Sequence, residues 1–69
     1  MSKKHYEQFA KMFADFMNWI DKKNLTTEKK LFAKSIILEV MENACEIFSN
    51  DNVSFSCDKF MDKINSLLD

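Results

Sequence analysis

Glycine and proline are both missing from this 69-residue chain. Turns that depend on a freely positive φ are therefore excluded, as are glycine-rich loops that cradle phosphate groups. Arginine is missing too: all ten basic residues are lysine. Lysine is a point charge without the planar fork that reads guanine edges and buried phosphates, so specific nucleic-acid readout is disfavoured. Ten lysines against eleven carboxylates leave a net charge of −1, which suits neither a polyanion binder nor an acidic mimic of DNA. There is one histidine, His5, and there are two cysteines, Cys45 and Cys57. They form no CxxC or HxxxH spacing, so no metal or cofactor is expected. No apolar run approaches the ~20 residues of a membrane-spanning helix, and no apolar leader opens the chain. The expectation is a soluble cytoplasmic protein with reduced thiols.

What is present is helical periodicity. From about Lys3 to Lys23, the residues Tyr6, Phe9, Ala10, Phe13, Phe16, Met17 and Ile20 fall on one stripe at i, i+3, i+4, i+7 spacing. Ser2 is the candidate N-cap and Asn24 the candidate terminator. Met12 and Trp19 lie off that stripe with Phe16 between them, a second, narrower ridge that either widens the core or meets another chain. A second helix is expected from about Thr27 to Ser49, capped by Thr26 or Thr27, with Glu28 in its first turn complementing the dipole. Its apolar face is wide, running through Ala33, Ile36, Ile37, Val40, Met41, Ala44, Ile47 and Phe48, with Leu31, Leu38 and Cys45 on one flank. Such a helix is expected to pack on two neighbours. Ser49-Asn50-Asp51-Asn52 reads as its end, with Asn50 or Asn52 in the left-handed conformation. A short third helix follows, about Cys57 to Leu68, capped by Ser56 and stapled by Phe55 at N′ against Phe60 at N4. The fold class is all-α, a small three-helix bundle in a single domain.

The stretch Asp51-Asn52-Val53-Ser54-Phe55-Ser56-Cys57-Asp58-Lys59-Phe60 resembles the D-N-P-x-F-D-x-x-x-F tail of small uncharacterised helical proteins borne by phages and plasmids. Lys4-His5-Tyr6-Glu7-Gln8-Phe9-Ala10 looks like the K-x-Y-E-x-[IF]-A opening of the same group. Val53 stands where that pattern has proline and Ser56 where it has aspartate, and serine caps helices about as well as aspartate does. The resemblance implies a mobile-element setting and a helical fold, and it implies no activity.

No constellation for catalysis emerges. Cys57 in a first turn lacks a base and a resolving thiol, Cys45 reads as packing, and Glu39, Glu42 and Glu46 read as a solvated face. A chain this short also buries little core, so a partner chain is expected to support it, with a homodimer as the default. The expectation is a non-enzymatic protein–protein interaction module that meets a host or phage protein. Interference with a host defence such as CRISPR is an extension by analogy of setting and size. Met12, Phe16 and Trp19 are the candidate interface, since Met and Trp are favoured where proteins meet. The alternative is a small nucleic-acid-binding or regulatory protein using the lysines at one end, namely Lys22, Lys23, Lys29, Lys30 and Lys34.

Overall fold

The computed structural model describes residues 2–69 and contains three helices: α1 (Lys3–Lys22), α2 (Thr27–Asp51) and α3 (Cys57–Ser66). No strand occurs among the described residues. Each helix starts where a polar cap precedes an apolar period. Thr26 Oγ1 accepts from the Lys29 N–H at 3.3 Å, and Ser56 Oγ accepts from the Lys59 N–H at 3.2 Å. At α1 the sole histidine has a local task. His5 Nδ1 accepts from the Ser2 N–H at 3.2 Å, satisfying a donor that the helix itself leaves open.

The expected left-handed asparagines are not there. No described residue has a positive φ, and α2 runs two residues past Ser49, through Asn50 and Asp51. The chain leaves α2 instead through Asn52 in extended geometry, at φ −147°. Asn52 Oδ1 then accepts from the Ser54 N–H at 2.9 Å, and its carbonyl accepts from the Phe55 N–H at 3.0 Å. This side-chain turn reverses the chain without glycine. Asn24 is likewise not the terminator of α1, which ends at Lys22 and exits through an extended Lys23. Helix α3 stops at Ser66 rather than Leu68.

Helices α1 and α2 form an antiparallel hairpin closed by a four-residue connection. Lys30 Nζ donates to the Asp21 carbonyl at 2.8 Å, and Lys34 Nζ pairs with the Asp21 carboxylate. At the other end, the Phe48 ring lies 5.1 Å from those of Tyr6 and Phe9. Helix α3 lies along one side of this hairpin, parallel to α1, from the Tyr6–Phe55 ring pair (4.8 Å) to Asn18. There the Asn18 side chain donates to the Leu67 carbonyl at 3.2 Å and accepts from the Asp69 N–H at 3.0 Å. The staple forms as expected, with Phe55 and Phe60 centroids 5.6 Å apart.

The core is small. Ala10, Phe13 and Ala14 of α1 meet Met41, Cys45 and Phe48 of α2 and Phe60 and Ile64 of α3. Ala10 and Ala14 present almost no side chain, so the helices approach closely there. Phe13 and Phe48 each lie nearly perpendicular to Phe60, at centroid distances of 6.2 and 5.6 Å, the edge-to-face geometry that aromatic quadrupoles favour.

Candidate interaction surface

Helix α3 covers only one side of the hairpin. On α1, Ala10, Ala14 and Asn18 recur every fourth residue and define the flank that leads to α3. Met12, Phe16 and Trp19, at i, i+4 and i+7, lie beyond Phe9 on the far side from Asn18. They are 40%, 46% and 56% exposed. The ridge is therefore not core. Together with Gln8, Lys11 and Asp15 it lines a shallow open groove of about 500 Å³.

Helix α2 contributes as much. Cys45 sits beside Cys57 at the start of α3, while Ile36, Val40 and Ile47 fall on the opposite side of α2. All three are exposed, Ile47 by 64%, and Phe32 is 69% exposed on the edge of the same stripe. The expectation that α2 has a neighbour on each flank is met by α1 and α3 only on its Met41–Cys45–Phe48 side. The hairpin register, anchored by Lys34–Asp21 and Phe48–Phe9, sets Ile36 about level with Trp19, Val40 with Phe16, and Ile47 with Phe9. The two ridges thus form one apolar face on the back of the hairpin. Sequence periodicity placed Ile36, Val40 and Ile47 on the wide apolar face expected to pack on neighbours. They are exposed because α3 packs on the other side of the hairpin and no element of the chain covers this one.

The lysines are gathered at the end of the hairpin as the sequence indicates, but four of the five are engaged within the chain. Lys22 pairs with Asp69 at 3.5 Å, Lys23 stands 4.3 Å over the Trp19 ring, and Lys30 and Lys34 both hold Asp21. Lys29 lends its backbone N–H to the Thr26 cap and keeps its side chain in solvent.

The remaining chemistry-bearing residues do not assemble. Cys45 is buried, and both thiols are free although Cys45 and Cys57 are hydrogen-bonded. Burial, then the Cys57 contact and the nearby Glu42 charge, push the Cys45 thiol up to about 12, which keeps it protonated and non-nucleophilic. Glu39, Glu42 and Glu46 are exposed. Among the described residues, no three of His, Cys, Asp and Glu group as metal ligands, and no helix is long and apolar enough to cross a membrane. A second open groove, about 480 Å³, lies where the N-terminal half of α1 meets the start of α3. Tyr6 contributes to it, and its hydroxyl is buried without a hydrogen-bond partner, a detail that its place on the apolar stripe gave no means to foresee.

Comparison of the chain with known protein families, with curated proteins and with solved structures finds no match.

Proposed function

We propose that this protein is a non-enzymatic protein–protein interaction module whose recognition surface is the back of the α1–α2 hairpin. What carries the reading is that exposed Phe9, Met12, Phe16 and Trp19 on α1 and exposed Ile36, Val40 and Ile47 on α2 all lie on the side of the hairpin away from α3. Singly exposed apolar side chains are ordinary; a contiguous patch spanning two elements marks a contact surface. The edges add to the case. Glu39 and Glu46 border it on α2, and Gln8, Lys11 and Asp15 border it on α1, the apolar centre and polar rim that protein interfaces share. The mobile-element setting rests on the resemblance of Asp51 to Phe60 and of Lys4 to Ala10. Interference with a host defence is an extension of that setting.

The nucleic-acid reading has less behind it. Asp21 and Asp69 already draw in Lys22, Lys30 and Lys34, and the chain has no arginine.

The reading is tested with the Met12→Ala/Trp19→Ala chain, followed by circular dichroism and by binding. The expected outcome is retained helicity with binding lost, because both side chains lie outside the core. Unfolding of this double variant would place the ridge in the core and remove the interaction surface.

A further inference from the structure

The exposed back of the hairpin has a shape and a charge pattern that fit one occupant in particular. A typical monomer of this mass exposes about 4,500 Å², whereas this chain, at 8.2 kDa, exposes 5141 Å². The excess, on the order of 600 Å², approaches the ~800 Å² that each partner contributes to a standard protein–protein interface. The molecule is also thin, with extents of 40 × 18 × 15 Å. A second layer of helices against the back of the hairpin would cover the side that α3 does not reach.

The charges beside the apolar face are sorted by helix. The flank of α2 carries Glu28, Glu39, Glu42 and Glu46, and the one lysine on this side, Lys29, sits at the loop end of the stripe, seven residues before Ile36. The matching flank of α1 carries Lys4, Lys11 and Lys22, of which Lys11 is held by Asp15 at 2.8 Å and Lys22 by Asp69 at 3.5 Å. Two hairpins can meet back to back with two-fold symmetry in two ways. Setting α1 on α1 and α2 on α2 brings two glutamate flanks together. Setting α1 on α2 brings lysine to glutamate at both edges. The second arrangement keeps the levels of the hairpin, so Trp19 meets the partner's Ile36 and Phe16 the partner's Val40. Lys11 then falls between the partner's Glu42 and the partner's Glu46.

From these features we infer that the occupant of the face is a second copy of this chain, docked about a two-fold axis along the bundle so that α1 of each copy lies over α2 of the other. The inference rests on the interaction reading above and names its partner. The interface is isologous, with the same patch used by both copies. Its apolar centre supplies affinity, and the charged flanks select the orientation.

Sedimentation equilibrium of the full chain tests this, with helicity of each variant checked by circular dichroism. The wild-type chain is expected to dimerise at about 100 µM or below, and Phe16→Glu to weaken the dimer by roughly a hundredfold. Lys11→Glu and Glu46→Lys are each expected to weaken it by roughly tenfold, and the combined Lys11→Glu/Glu46→Lys chain to return to within about threefold of wild type. A chain that stays monomeric overturns the inference. So does a dimer indifferent to Phe16→Glu, which would use another surface. A double swap no tighter than the single variants also overturns it, because Lys11 would then not face Glu46. A monomeric chain whose Phe16 position still captures a different protein leaves the interaction reading standing; capture of nothing removes both.

Discussion

Met41 and Trp19 are both large apolar residues on helical stripes, yet they have opposite roles. Met41 is 2% exposed at the centre of the core, so Met41→Ala is expected to cost about 2–5 kcal/mol in urea unfolding. Trp19→Ala, at a position more than half exposed, is expected to cost the fold less than ~1 kcal/mol under the same conditions. Periodicity alone separates the two only partly. It places Met12 and Trp19 off the main stripe, which is legible in the sequence, but it puts Ile36 and Val40 with Met41, which is not. Cys45 gives a second residue-scale expectation. Its thiol has an ordinary value of 9.0 and is pushed to about 12 in the folded chain. Below pH 9 the thiol is protonated folded and unfolded alike, and its contribution is complete. As pH rises from 9 towards 12 the unfolded chain loses that proton and the folded chain keeps it, so stability falls. Unfolding measured across this window is expected to decline more steeply for wild type than for Cys45→Ala; equal slopes would show that the thiol is not held neutral by the fold.

At the scale of the elements, the helices begin where their caps lie in the sequence. Thr26 and Ser56 do what short polar side chains do ahead of an apolar period, and the Phe55–Phe60 staple follows from spacing alone. Ser56→Ala is expected to destabilise the protein by about 1 kcal/mol, read from the thermal midpoint, because it strands an N–H of a ten-residue helix that has no stability of its own. The helix ends were less legible. Asn52 looks like a left-handed terminator by composition, but it works by an Asx turn from extended backbone, and nothing in a run of Ser, Asn and Asp decides between the two. Asn52→Ala is therefore expected to destabilise the α2–α3 corner. Asn52→Gly, which supplies left-handed freedom but no side-chain acceptor, is not expected to rescue it.

For the molecule as a whole, the class of fold was readable and the extent of its closure was not. Three amphipathic segments with no strand signal imply a bundle, but whether three helices enclose one another depends on lengths and crossing geometry that periodicity does not encode. Here α3 packs on one side of the hairpin only, and the other side is left as an apolar face. The candidate surface was half legible for the same reason. Its α1 half stands out as a ridge apart from the core stripe, while its α2 half merges with the core stripe and separates from it only once α3 is in place. The central claim is that this face binds protein. The most direct measurement is photo-crosslinking in cells that produce the protein, from a reactive group placed at Phe16, with the same group at Asp62, on the exposed side of α3, as the control. The account expects discrete protein adducts from position 16, including one at twice the 8.2 kDa chain mass, and none from position 62. Adducts from both positions alike, or from neither, would contradict it.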